Sequence, residues 1–218
     1  MDCCDASVYD DTFDAKRAED RLRDYRRNGP NGWTRRLIDG LASGGVDGLT
    51  VLDIGAGVGA VHHALLAAGA TTAVDVDASG PYITAARAEG ERRGLAGRVT
   101  YHKGDVVALA PGLGQADLVA LDRVVCCYPH MEALVRVAAE RTRRRLGMVL
   151  PRDDAWIRAG VNVSNRWSAL RRDRFRVHVH RTADVLAVAI SEGLVPVDSH
   201  KGRFWQTMIL ERPPGDSR

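Results

Sequence analysis

A chain of 218 residues, 45% of them hydrophobic, with a net charge of +3 is long enough for one domain with a sizeable core. So mild a charge makes no demand for nucleic acid or an anionic membrane as partner, and no apolar run approaches the roughly twenty residues of a membrane span. Met1-Asp2-Cys3-Cys4-Asp5 lacks the basic and apolar regions of a signal peptide, so the expectation is a cytoplasmic protein with reduced thiols.

Residues 1–30 read as an N-terminal arm, polar and charged, with Phe13, Leu22 and Tyr25 as its few apolar anchors. Two readings stand for it: a solvated helical arm, or a lid over the rest of the chain. Asn28-Gly29-Pro30-Asn31-Gly32 is a break. Trp33, Leu37, Ile38 and Leu41 then recur at helical spacing up to Gly44-Gly45. Short apolar runs follow at Leu49–Ile54, Thr71–Val76, Arg98–His102 and Leu118–Leu121. Helical segments at Ala60–Ala68 and Pro81–Arg93 separate the first three, an alternation that predicts a parallel sheet with right-handed crossovers. A helix from His130 to Arg144 should lead to a fifth strand, Leu146–Leu150, stopped by Pro151. Residues 152–176 read as an insertion, with Trp156, Trp167 and Phe175 among its arginines. Thr182–Glu192 reads as the last helix, capped by Thr182. Leu194–Ser199 and Phe204–Leu210 read as a final hairpin.

The densest signal is Leu49-Thr-Val-Leu-Asp53-Ile-Gly55-Ala56-Gly57-Val-Gly59. A buried strand enters a glycine turn and then a helix, whose free N-terminal amides would face a ligand. Gly55-x-Gly57-x-x-Ala60 also fits a dinucleotide fingerprint, which leaves a dehydrogenase open. Three carboxylates near successive strand ends, Asp53, Asp75 and Asp105, argue instead for a cation that also bears a ribose diol and an exocyclic amine. A pyrophosphate would be repelled by the first of them. S-adenosylmethionine, with its sulfonium and ammonium groups, fits that set.

The Asp53-to-Gly59 stretch resembles motif I of the class I S-adenosylmethionine-dependent methyltransferases, and the resemblance extends over about residues 31–212. It implies an α/β fold: a single Rossmann-like domain whose seven-stranded, mostly parallel sheet has an antiparallel last strand and helices on both faces. It implies S-adenosyl-L-methionine as cofactor, with Asp53, Gly55, Ala56, Gly57, Asp75, Val76, Gly104, Asp105, Val106 and Asp122 around it. In that scheme Asp75 grips the ribose hydroxyls and Asp105 the adenine amine. A narrower resemblance, to magnesium-protoporphyrin IX O-methyltransferases, rests on Tyr128-Pro129, on Phe175-Arg-Val-His-Val-His180-Arg-Thr-Ala-Asp184-Val and on the aromatic closing strand. That family carries a histidine just before the Tyr-Pro, where this chain has Cys127. Its tyrosine in the N-terminal arm has no clear counterpart among Asp14 to Arg21.

In such a fold the acceptor faces the end of the fourth strand, Asp122-Arg-Val-Val-Cys126-Cys127-Tyr128-Pro129-His130. Tyr128 and His130 are the first candidates to bind or deprotonate it, with His180 and Cys127 beside them. The alternatives are that Tyr128 packs on the adenosine side, that His130 begins a helix and that His180 is structural. Cys3-Cys4 and Cys126-Cys127 lack the Cys-x-x-Cys spacing of a zinc site, so no metal is expected. Cys126-Cys127 reads as two small side chains, one buried and one facing the cleft. Were the arm to fold over, four sulfurs would suit a soft metalloid or a thiol-bound acceptor. The arginines of 166–176 read either as a cradle for a flat anion or as a solvated face. Modest charge and the lack of an added binding domain argue against RNA. The leading expectation is an enzyme that methylates a small-molecule acceptor, with a non-catalytic cofactor-binding protein as alternative and a homodimer left open.

Overall fold

The computed structural model describes residues 6–171 and 173–215. Two helices open it, α1 (Ala6–Thr12) and α2 (Ala15–Asn28). The Asp14 carboxylate starts α2 by accepting the N–H of Arg17. Gly29, at φ 71°, ends it. The Asn31 side chain then accepts the N–H groups of Trp33 and Thr34 and starts α3 (Gly32–Ala42).

Strands and helices now alternate: β1 (Thr50–Ile54), α4 (Ala60–Ala67), β2 (Thr72–Asp77), α5 (Gly80–Arg92), β3 (Val99–Lys103), α6 (Val106–Leu109), β4 (Ala116–Asp122), α7 (Met131–Glu140) and β5 (Thr142–Pro151). Helices α8 (Ala155–Leu170) and α9 (Thr182–Ser191) precede a hairpin of β6 (Val195–Lys201) and β7 (Trp205–Glu211). The seven-stranded sheet runs β3-β2-β1-β4-β5-β7-β6. Strands β1 to β5 are mutually parallel, and β7 lies antiparallel between β5 and β6. Strand order reverses between β1 and β4. A crevice for a ligand therefore opens above their carboxyl ends.

Both faces of the sheet are covered. On one, Leu134, Val135 and Ala138 of α7 and Val185 and Ala189 of α9 pack on Val119, Leu121, Leu146, Met148 and Leu150. On the other, Leu37 and Leu41 of α3 and Val61 and Leu65 of α4 pack on Val51, Leu118, Ala120, Val149 and Ile209. Central strands buried on both sides explain their continuous apolar runs.

Three expectations need correction. The helix expected over His130–Arg144 ends at Glu140, and β5 begins at Thr142 rather than Leu146. Partners decide this: Thr142 pairs with Ala116 of β4, and Arg145 lies between Leu118 of β4 and Glu211 of β7, to which its guanidinium donates. Thr182 is the first residue of α9 rather than its cap, and its N–H and hydroxyl both donate to the Asp153 carboxylate. Finally, β2 runs on to Asp77, two residues past the expected strand-end acid, Asp75.

Candidate active site

Strand β1 leads Ile54 into the glycine turn. The Gly55 N–H donates to the Val76 carbonyl (2.7 Å), which ties the turn to β2. Gly57 sits at φ 59°, and a Cβ there would lie 3.6 Å from the Tyr82 ring, so its bare backbone is what a ligand would meet. Gly59, at φ 80°, is excluded from carrying a side chain for a different reason. A Cβ there would stand 2.5 Å from His63 and 2.7 Å from His62. The turn is glycine-rich above for approach and below for two buried histidines.

At the end of β2 the Asp77 carboxylate accepts the Gly57 N–H on one oxygen (2.9 Å) and the Ser79 N–H on the other (2.8 Å). Burial pushes its carboxyl up to about 6 in spite of those two amides. Each oxygen keeps a lone pair for a further donor. Asp75 has no such access. It is fully buried within the sheet, beside Asp53 in register, and neither of its oxygens has a hydrogen-bond partner among the described residues. Burial, with Asp53 and Asp77 as like charges, holds its carboxyl well above the usual carboxylate range. Expected at a ligand's hydroxyls, Asp75 is placed by the structure inside the sheet, two residues before the tip of β2. Sequence held one clue, Asp77-Ala78-Ser79, because Ser79 caps α5 and so marks where the strand must already have ended.

Asp53 is likewise enclosed. One oxygen accepts the His62 N–H (3.2 Å) and meets His62 Nδ1 at 2.9 Å, so its carboxylate braces the start of α4 from below. Expected at a ligand, it is placed by the structure against His62. Asp122 is engaged by the Arg123 guanidinium on both oxygens and by the Thr34 hydroxyl at 2.6 Å. Arg123 itself holds φ 63°, an unusual conformation for a non-glycine residue at the crevice edge. Val76 is buried, and its carbonyl receives the turn. The Gly104 N–H donates to the Asp77 carbonyl (2.9 Å), and Val106 opens α6. Asp105 caps that helix through the Val107 N–H, and both its oxygens lie within 2.9 Å of the Tyr128 hydroxyl, which donates to it.

Helix α1 reaches the loops at the rim of this crevice. The Tyr9 hydroxyl donates to the Cys127 carbonyl (3.1 Å), and the Asp10 carboxylate accepts the Gly80 N–H and pairs with Lys103 at 2.6 Å. The Ser79 hydroxyl donates to the Phe13 carbonyl. Phe13 stands edge-on to Tyr82 (5.9 Å) and to Phe175 (5.3 Å), with Tyr9 stacked on it. Further along, Arg26 of α2 reaches the buried Glu89 (2.7 Å), which also binds Arg92 and Arg93. Burial opposes ionisation of Glu89, yet the three guanidiniums pull it down to about 2. Tyr9 and Asp10 escaped the sequence analysis because their partners lie some 70 to 118 residues away.

Across the crevice, the segment after α8 folds back onto the end of β4. The His178 N–H donates to the Cys126 carbonyl (2.7 Å), and His180 Nε2 lies 2.9 Å from the Tyr128 carbonyl. A carbonyl only accepts, so that nitrogen carries the proton and the other ring nitrogen of His180 is left as the acceptor. The two imidazoles stack at 5.7 Å. Burial, and then His180 and His130 as like charges, lower His178. His130 caps α7, and its ring stands 6.4 Å from that of Tyr128. Cys126 is buried and Cys127 half-buried, with their sulfurs 3.8 Å apart. The contact with Cys126 and burial push the Cys127 thiol up. Cys3 and Cys4 lie outside the described residues. Among those residues no group of three or more His, Cys, Asp or Glu is disposed to hold a metal.

Residues 51–145 match the methyltransferase domain family. Solved structures agree on the fold over nearly the whole chain. Magnesium protoporphyrin IX methyltransferase from Synechocystis PCC 6803, with bound SAH, superposes with a TM-score of 0.75 at 21% identity, covering 96% of this chain and 100% of that one. An O-methyltransferase family protein from Burkholderia thailandensis gives 0.71 at 18% identity, covering 94% of this chain and 62% of that one. The [4+2]-cyclase SpnF gives 0.65 at 14% identity over 83% and 82%. No curated protein matches the sequence. The domain therefore sits in a Rossmann-like methyltransferase fold, and no helix among the described residues is long and apolar enough to cross a membrane.

Proposed function

We propose that the chain is an S-adenosyl-L-methionine-dependent methyltransferase acting on a small-molecule acceptor. The observation that carries this reading is the Asp77 carboxylate, held at the tip of β2 by the Gly57 and Ser79 amides beside bare glycine backbone. It has lone pairs left for two ribose hydroxyls, and the Asp105 carboxylate, on the next strand's end, would take the adenine amine. The SAH carried by the Synechocystis enzyme and the methyltransferase domain match support the same cofactor.

When bound, the cofactor supplies a methyl group already activated by a sulfonium, so the protein's task is positioning and exclusion of water. Asp77, Asp105 and the glycine turn fix the donor's orientation. Residues 6–30 act as a lid, with Phe13, Tyr82 and Phe175 closing an apolar wall over it. Cys127, His130, His178 and His180 line the acceptor side. Tyr128 steadies Asp105 through its hydroxyl, which makes it a positioning residue. His180, with its protonated nitrogen on the Tyr128 carbonyl, presents its other nitrogen to accept a proton from a hydroxyl or amine acceptor.

Titration calorimetry with S-adenosylhomocysteine tests the reading directly. Uptake is expected, and its absence would end the proposal. Once an acceptor is found by product screening, His180→Gln should lower kcat by roughly tenfold to a hundredfold while leaving that uptake unchanged. An unchanged kcat would return His180 to a structural role.

A further inference from the structure

Helix α8 is turned the wrong way round for a surface helix of a globular domain. Trp156, Val163, Trp167 and Leu170 follow one another at intervals of seven, four and three residues, which puts them on one stripe. That stripe faces outward: the four are 56%, 66%, 59% and 79% exposed. Of the whole helix only Ile157 is buried. A polar residue is turned inward instead. The Asn165 side chain donates to the Val177 carbonyl (2.7 Å) and accepts its N–H (3.0 Å), pinning α8 to the segment that carries His178 and His180.

The charge around the stripe is equally one-sided. Residues 155–176 contain six arginines and one aspartate, net +5 within a chain of net +3. Arg171 lies over the Trp167 ring at 5.3 Å. The acids nearby are already occupied: Asp154 by Arg152, Asp153 by Thr182, and Asp173 by the Phe175 N–H. Indole and aliphatic side chains on one face, flanked by guanidiniums, are the make-up of a helix that lies in a membrane interface.

We infer that α8 docks the protein, reversibly and in the plane of the surface, on an anionic lipid bilayer. A second copy of the chain fits worse. A two-fold contact through this stripe would bring two arginine-flanked faces together, and four side chains fall well short of the area a stable dimer buries. Docking sets the segment bearing His178 and His180 beside the lipid. The inference stands apart from the methyl-transfer reading and is tested without it.

The test is co-sedimentation of the full chain with vesicles of phosphatidylcholine alone and of phosphatidylcholine mixed with phosphatidylglycerol. The protein should pellet with the anionic vesicles, release as salt is raised, and stay in solution with the neutral ones. The triple variant Trp156→Ser, Trp167→Ser, Leu170→Ser should lose about tenfold or more of the bound fraction, with little change in thermal midpoint because all three side chains are more than half exposed. Arg166→Glu with Arg171→Glu should lose binding too, through charge alone. Failure to pellet with anionic vesicles overturns the inference, as does equal pelleting with both kinds. So does a dimer in light scattering that the triple variant abolishes, or a short RNA that the wild type prefers to the vesicles.

Discussion

The two halves of the sheet are filled differently. Beneath α7 and α9, strands β4, β5 and β7 meet leucine, valine, methionine and alanine, and the buried polar side chains on β5 and β7 are the uncharged Thr142, Gln206 and Thr207. On the side of α4 and α5, strands β1 and β2 and the two helices bury Asp53, His62, His63, Asp75 and Glu89 at zero exposure. Several of those atoms have no partner among the described residues, including Asp53 Oδ1, both Asp75 oxygens and both His63 nitrogens. Burial and the neighbouring His62 lower His63 to about 3, which keeps it neutral. Buried polar groups without partners cost stability. One half therefore holds the domain together, while the other spends stability beneath the crevice that its own strand ends build.

That contrast can be broken by substitution. The largest effect belongs to the apolar half: Leu134→Ala, at a wholly buried position, should destabilise by about 3–4 kcal/mol in denaturant unfolding, with S-adenosylhomocysteine affinity retained at low temperature. Asp77→Ala should do the reverse, costing roughly a hundredfold in affinity, or about 2.7 kcal/mol, with little change in unfolding midpoint. Affinity should also depend on pH. Asp77 binds hydroxyls better as a carboxylate, and its carboxyl titrates near 6, so calorimetry should show affinity held above that value and falling by up to about tenfold toward pH 5. The smallest effect is expected at Asp75. Burial and its carboxylate neighbours already disfavour its charged form, and it lies inside the sheet away from the crevice, so Asp75→Asn should shift stability by less than about 1 kcal/mol and leave affinity alone. A large loss of affinity there would restore Asp75 to the ligand and undo the comparison.

The glycine turn was legible in the sequence because its backbone admits nothing else: Gly55, Gly57 and Gly59 all hold positive φ. The order of strands was legible for a similar reason, as each apolar run is short and bounded. Strand ends were not. Asp75 and Asp77 look alike within the apolar run; the Ser79 cap brackets the end of the strand, and the pairing of Asp77 with Lys103 of β3 shows that β2 continues to the second. The start of β5 was hidden by arginines that read as a helix tail until Glu211 is seen across from Arg145. Tyr9 meeting Cys127, and α8 exposing rather than burying its tryptophans, are tertiary facts that local patterning does not carry.

The placement of β7 bears on how this chain is made. Strand β6 is synthesised first yet attaches to the sheet only through β7, which also covers the flank of β5. Until Trp205–Glu211 has left the ribosome, β5 is an open edge and β6 has nowhere to go. The nascent protein therefore passes through a five-stranded stage that is prone to stick to its neighbours, and a holding chaperone would find its handle there.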